Sequence, residues 1–199
     1  MSDKFRDQAG LSRPLPFGRS HAAVRRPLIA VASQSEFGAD GQIRDPDDLP
    51  AQLRMTVRQL ANTLSSAQAT LSDLVKLTAF YVPDGATNEA KLLALLSKAL
   101  PEDCGVAVSA VPVPALGAPG LRLHVQALAV SSSDVPLAER RQVRMARLPA
   151  LPPPFVHGLR CGELIFPSAQ TGRDLDGNML CPGDIVGQSR LAMDRLSSI

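Results

Sequence analysis

The sequence contains no tryptophan and one tyrosine, and six phenylalanines bring its aromatic content to only 4%. Single-stranded RNA and DNA bind on aromatic stacking platforms, which are scarce here. Charge of one sign is scarce too: 21 Lys and Arg oppose 19 Asp and Glu, a net charge of +2. Unclustered, that charge leaves no electrostatic footprint for nucleic acid. No apolar run approaches the ~18 residues that mark a membrane-spanning helix. The richest stretch, Val106 to Leu123, is broken by Pro112, Pro114 and Pro119. The N-terminus carries no apolar run ahead of a small-residue cleavage site, so a signal peptide is not expected. Three cysteines, Cys104, Cys161 and Cys181, form no CxxC pair and are odd in number, unlike a disulfide framework. These absences point to a reducing, cytoplasmic protein with neither nucleic acid nor membrane as partner.

What is present suits a globular α/β chain: 45% hydrophobic and 20% charged residues over 199 positions. Residues 1–14 read as a flexible lead-in. Pro27 to Ser33 reads as a buried strand, Gly38-Ala39-Asp40-Gly41 as a turn, and Asp47 or Asp48 as the cap of a helix. Leu49, Leu53, Val57, Leu60 and Leu64 recur at helical spacing. Leu74 to Val82 is a β-compatible run stopped by Pro83-Asp84-Gly85. Asn88 to Leu100 reads as a second helix, and Val106 to Val111 and Leu121 to Val130 as two strands. In the last, Leu121, Leu123, Val125, Ala127 and Ala129 share one face, with His124 on the other. The order β–α–β–α–β–β predicts a mixed sheet with two helices on one face. Residues 131–146, with Arg140, Arg141 and Arg144, read as a solvated basic linker.

The sequence also repeats itself. Leu15–Thr63 aligns with Leu151–Ile199 without a gap, with 13 identities in 49 positions. Among them are His21 with His157, Leu28-Ile29 with Leu164-Ile165, and Gln34 with Gln170. Asp48 falls on Asp184, and Gln52 on Gln188. The expected organisation is a complete unit at 15–130, the linker, and the N-terminal half of a second unit at 147–199. A half-unit exposes strand edges and an apolar face, to be completed by further chain or by another chain.

In the first unit, Ala32-Ser33-Gln34 ends a strand, Gln52 opens a leucine-rich helix, and Ser72 to Lys76 enters the next strand. A Pro-x-x-x-x-Val-x-Val-x-x-x-Pro segment follows from Pro101 to Pro112, and the last strand closes on Ala127 and Ala129. In the order and spacing of these motifs the unit resembles the Rid family (RidA, also called YjgF), the enamine/imine deaminases. The second unit is similar to the family's opening, with Pro154-Phe155-Val156-His157-Gly158, Ser168-Ala169-Gln170 and Gln188. The resemblance implies a chorismate-mutase-like α/β fold and a homotrimer or pseudo-trimer with pockets between subunits. It also implies hydrolysis of 2-iminoacids to 2-ketoacids and ammonia, with no cofactor. An Arg would clamp the substrate carboxylate, a final-strand Glu would position water, and a Ser or Tyr would line the pocket.

The departures fall on those positions. Asp103 stands at the Arg position, where an anion repels a carboxylate. Gln126 stands at the Glu position and cannot act as a base. Ala32 replaces the pocket Ser, which Ser168 retains in the second unit, and Phe155 holds the Tyr position without its hydroxyl. The ligand-pocket candidates are therefore Ala32, Ser33, Asp103, Cys104, Gln126, Phe155 and Ser168, with no residue assigned as catalytic. An interface pocket could pair Phe155 and Ser168 with the loop of Asp103. Cys104 has no base near it in sequence and reads as an unreactive small side chain. Three dispersed histidines give no metal signal, and His21 and His157 read as structural. Three readings follow: a deaminase of imines, a non-catalytic module binding a small carboxylate or imine, and, disfavoured by charge and aromatics, a ribonuclease or translation inhibitor.

Overall fold

Asp48 opens the first helix by accepting the amide of Ala51 on its Oδ1 at 2.9 Å. The computed structural model describes residues 21–37 and 42–199. The lead-in at 1–14 and the turn at 38–41 lie outside the described residues. Helix α1 runs Leu49–Ser66, with Pro50 in the first turn, and buries Leu49, Leu53, Leu60 and Leu64 on one stripe. Helix α2, Glu89–Ala99, is capped by Asn88, whose Oδ1 accepts the amide of Lys91 at 2.9 Å. It buries Leu92, Leu93 and Leu96.

Five strands between Ala22 and Val130 build most of the main sheet: β1 (Ala22–Arg25), β2 (Leu28–Gln34), β3 (Leu74–Tyr81), β4 (Val106–Pro112) and β5 (Leu123–Val130). A sixth, β7 (Phe155–Val156), joins the far edge, giving the order β1-β2-β5-β3-β4-β7. The pairs are antiparallel from β1 to β3, whereas β3 with β4 and β4 with β7 are parallel. Both helices cover one face, where Leu53, Leu60, Leu64, Leu92 and Leu96 meet Ile29, Leu77, Tyr81, Val108, Leu123 and Phe155. The mixed sheet with two helices on one face is thus as expected.

Two details differ from the sequence reading. Strand β1 is not predicted: its four residues, Ala-Ala-Val-Arg, carry too little apolar alternation to signal a strand. Strand β5 starts at Leu123 rather than Leu121, because Leu121 and Arg122 donate their amides elsewhere, to the Ala118 carbonyl and to Gln52 Oε1.

A second sheet lies over part of the helix-free face. It holds β6 (Arg141–Val143), β8 (Gly158–Cys161) and β9 (Leu164–Pro167), all antiparallel, in the order β6-β8-β9. A smaller core of Val75, Ala107, Val130, Val156, Leu159, Cys161 and Phe166 joins the two sheets. The basic run is not wholly solvated. The Arg140 side chain is 3% exposed and pairs with that of Asp73, also 3% exposed, at 3.4 Å, while its guanidinium also donates to the carbonyls of Ser72 and Val130. Arg141 and Arg144 are exposed.

Several positions paired by the sequence self-alignment make the same kind of hydrogen bond. Ala32 donates to the His21 carbonyl at 2.8 Å, and Ser168 to that of His157 at 2.8 Å. The Gln34 amide returns to the Ala32 carbonyl, and that of Gln170 to the Ser168 carbonyl. Helix α3 (Ile185–Ser197) starts at the repeat counterpart of Leu49, where α1 starts, and is capped by Asp184 as α1 is by Asp48. Packing separates the two helices: α3 buries no residue, and Ile185 is 73% and Met193 60% exposed.

Candidate functional site

The loop after α2 is fixed at both ends. Pro101 follows the buried, extended Leu100, and its carbonyl accepts the Cys104 thiol at 3.0 Å. Gly105 has φ +58, a left-handed backbone conformation that favours glycine, and it lies against the exposed side chain of Gln142 on β6. Burial first, and then the neighbouring Asp103 carboxylate, push the Cys104 thiol up to about 11. A thiol so held stays protonated near neutral pH and is no nucleophile. Glu102 and Asp103 are exposed.

Beyond this loop, β4 meets the C-terminal part of the chain. Phe155 pairs with Val106 and is wholly buried in the main core, so its ring packs rather than lining an open cleft. The Ser168 hydroxyl accepts the amide of Val108 at 2.7 Å and donates to the Val156 carbonyl at 2.5 Å. Ala169 donates to the Val108 carbonyl at 3.0 Å. Phe155 and Ser168 are therefore both brought against the strand that follows Asp103 and Cys104.

The remaining candidates gather on the helix-free face. Gln126 is exposed and donates its amide to Ser33 Oγ at 3.0 Å, with Ala32 exposed beside Ser33. Here a cleft of about 410 Å³ is lined by Ala30, Val31, Lys76, Thr78, Gln126, Ala127 and Leu128. Lys76 is the residue that sequence reasoning misses, using it only to mark the start of a strand. Its Nζ donates to Ser109 Oγ at 2.8 Å and to the Pro167 carbonyl at 2.6 Å. Burial lowers its pKa to about 8. Lys76 touches the residue before Ser168 and lines the cleft with Gln126, so it bridges the two groups of candidates. The available signal is a single charge in an otherwise uncharged strand, Leu-Val-Lys-Leu-Thr-Ala-Phe-Tyr, with Thr78 next on the same face.

His157 and His124 make packing and backbone contacts. His157 Nδ1 accepts the Met145 amide at 2.9 Å, so its Nε2 donates to the Pro149 carbonyl at 3.0 Å. His124 meets Phe80 edge to face at 6.3 Å, and burial lowers its pKa. Among the described residues no group of three or more His, Cys, Asp or Glu side chains gathers as metal ligands would, and no helix is long and apolar enough to cross a membrane.

Solved structures share this fold. RidA from an Antarctic Psychrobacter is 20% identical, with 62% of this chain and 96% of that one covered at a TM-score of 0.53. Yeast Mmf1 is 19% identical, with 62% and 95% covered at a TM-score of 0.54. A member of the highly conserved YjgF/YER057c/UK114 family from Mycobacterium tuberculosis is 30% identical, with 57% and 86% covered at a TM-score of 0.47. No curated protein matches the chain. The family model described as endoribonuclease L-PSP matches residues 11–131. That match spans β1 to β5, both covering helices, the Asp103 loop and Gln126, and the chain belongs to the L-PSP family, the one also called Rid or YjgF.

Proposed function

We propose that this chain is a Rid module that binds a small carboxylate or imine metabolite without hydrolysing it at the first unit's site. One observation carries the reading: the two positions on which the family's deaminase chemistry depends are held by an exposed carboxylate, Asp103, and by an amide, Gln126, bonded to Ser33. Hydrolysis of a 2-iminoacid needs a cation for its carboxylate and a group able to take a proton from water. Asp103 has the wrong sign for the first role, and Gln126 has no basic atom for the second. Cys104, buried and protonated, does not substitute for either. No cofactor enters this reading.

The proposed organisation is a Rid-like unit at 15–130, a linker at 131–146, and a repeat-related segment at 147–199 docked on β4. It is supported by the sequence identities and by the recurrence of the same caps and side-chain bonds at repeat-related positions. Assembly into a trimer or pseudo-trimer in the cytoplasm belongs to the same reading, and light scattering of the purified chain tests it. A stable monomer would count against pockets shared between units. Ribonuclease activity is disfavoured by the net charge of +2 and the 4% aromatic content.

The experiment is an assay of 2-iminobutanoate hydrolysis with the full chain. No acceleration over the uncatalysed rate is expected, and the D103R/Q126E double variant should gain activity. Hydrolysis by the wild-type chain that survives both D103A and Q126A would overturn the binding-module reading and favour a deaminase acting elsewhere.

A further inference from the structure

Helix α3 carries an apolar stripe that packs on nothing among the described residues. Val186, Ser189, Met193 and Leu196 recur at alternating spacings of three and four, with Ile185 alongside. The self-alignment pairs Ile185 with Leu49 and Leu196 with Leu60, which α1 buries to 4% and 1% exposure; Ile185 and Leu196 are 73% and 37% exposed. The opposite side of α3 holds it in place. Arg195 donates to the Thr171 carbonyl, Gln188 lies against Gly172, and Ile199 against Gly158 of β8. These three share one side by helical spacing, so the stripe faces away from the chain's own contacts.

A shallow groove of about 380 Å³ runs along the stripe, lined by Ile185, Val186, Ser189, Arg190, Met193 and Asp194. Ser189 stands where α1 has the buried Leu53, which leaves a dip one turn from the long side chain of Met193. One border carries a charge of each sign, Arg190 and Asp194, whereas the paired positions in α1 are Arg54 and Arg58. Among the described residues, neither Arg190 nor Asp194 enters an ion pair.

The pattern matches itself when reversed. About a two-fold axis at Leu191, an antiparallel copy sets Val186 against the partner's Leu196 and Ser189 against the partner's Met193. In the central layers a long side chain therefore meets a dip. The two-fold axis is perpendicular to both helices, so the charged borders of the two copies meet on the same side. Arg190 and the partner's Asp194 then stand two residues apart along the helix, about 3 Å at the α-helical rise. A foreign partner needs only an apolar stripe; a match of size and charge about Leu191 is what a second copy requires.

We propose that α3 is a self-association surface, on which two copies of this chain pair their α3 helices antiparallel. Each groove is filled by the partner's Met193, and each Arg190 meets the partner's Asp194. One 13-residue helix per copy is small beside the roughly 800 Å² a side of a standard interface, so the pairing is weak and concentration-dependent. It is a contact separate from the trimer or pseudo-trimer of the reading above, and it would join such assemblies in pairs.

Sedimentation velocity of the full chain from about 5 to about 500 µM tests this, a range that reaches weak complexes. A reductant keeps the exposed Cys181 from linking chains. The wild-type mass should at least double across the range. M193E, which puts a carboxylate into the central layers, should hold the lower mass throughout. The mass of M193E reports the trimer reading separately, so that reading can fail without touching α3. R190D and D194R each set like charges face to face and should weaken association roughly fivefold, while the R190D/D194R double variant should restore it. The three positions are exposed, so thermal midpoints should stay within a few degrees of wild type. Equal masses for wild type and M193E at every concentration overturn the proposal and leave the stripe to a different protein. Single charge variants that associate as wild type does, or a double variant that fails to recover, overturn the antiparallel pairing. Should M193E not fold, the charge series decides alone.

Discussion

The hydroxyl of Ser168 accepts the amide of Val108 at 2.7 Å, joining two stretches of chain that are far apart in sequence. The same hydroxyl donates to the Val156 carbonyl, so both its hydrogen-bonding directions serve the seam between β4 and the C-terminal part of the chain. At the repeat-related position in the first unit stands Ala32, which is exposed and has no hydroxyl to offer. Seam and open surface thus fall at two positions that the sequence self-alignment pairs. Ser168→Ala strands the buried Val108 amide and should cost about 1–3 kcal/mol of unfolding free energy. Ala32→Ser should fall within about 0.5 kcal/mol of wild type, as surface changes do. Urea denaturation of the two variants checks both, and equal effects would contradict the asymmetry.

Gln52 and Gln188 make the same comparison inside the helices. Gln52 is fully buried; its Nε2 donates to the carbonyls of Asp45 at 2.9 Å and Gly120 at 2.7 Å, and its Oε1 accepts the Arg122 amide at 2.7 Å. It therefore locks the loop before α1 to the start of β5. Gln188 keeps only the first of these bonds, to the Cys181 carbonyl at 2.9 Å, on a helix that buries no residue. Gln52→Leu leaves three backbone groups without that partner and should cost roughly 2–4 kcal/mol. Gln188→Leu should cost less than about 1 kcal/mol. Thermal denaturation of each variant is the measurement.

Both helices covering the main sheet are legible in the sequence by their apolar spacing, and the first also by its cap at Asp47 or Asp48, whereas the cap of the second, Asn88, is found only in the structure. The alternation of β5 is legible for the same reason: its burial has a period of two, as its residues do. Strand β1 is not, since it is held by pairing with β2 across Arg26-Pro27, a connection without the Asn-Gly or Gly-x signal of a tight hairpin. Arg140 escapes the sequence reading because nothing in a basic run reveals which arginine will find a buried carboxylate, here Asp73 from the far side of the sheet's sequence. At the site, Gln126 and Asp103 can be found by their order in the chain. Lys76 cannot be placed that way, because its partners, Ser109 and Pro167, come from β4 and β9, and that meeting is set by tertiary packing alone.

The three cysteines should differ sharply in reactivity. Cys104 is buried with its thiol pushed up to about 11, and burial also raises the pKa of the buried Cys161. Cys181 is exposed. Near neutral pH, where thiolates do the reacting, Cys181 alone should be labelled rapidly by a disulfide reagent in the native chain. Denaturation should release the other two, giving the full complement of three. Rapid native labelling of Cys104 would contradict its burial and reopen it as a nucleophile.

The pH dependence of stability isolates Lys76. Its folded pKa is about 8 against an ordinary value of 10.5, so between these values the unfolded chain holds the extra proton. Stability contributed through this group therefore rises with pH across that window, at up to about 1.4 kcal/mol per pH unit. Cys104, Cys161 and Tyr81 run the opposite way: their folded pKa values are raised, so their contributions fall as pH climbs through the same range. His124 shares the face of Lys76, but its pKa is lowered from 6.5, and it is neutral before the window opens. The other groups lining the cleft with Lys76, Thr78 and Gln126, carry no charge, nor do its partners Ser109 and Pro167. The wild-type curve alone would therefore mix contributions of opposite sign. The difference between wild type and Lys76→Met cancels the thiols and the tyrosine, and should move in favour of wild type by roughly 1–3 kcal/mol, after discounting for screening, between pH 8 and pH 10.5. Chemical denaturation at several pH values gives that difference directly, and one that stays constant would show that Lys76 is not desolvated in the folded chain.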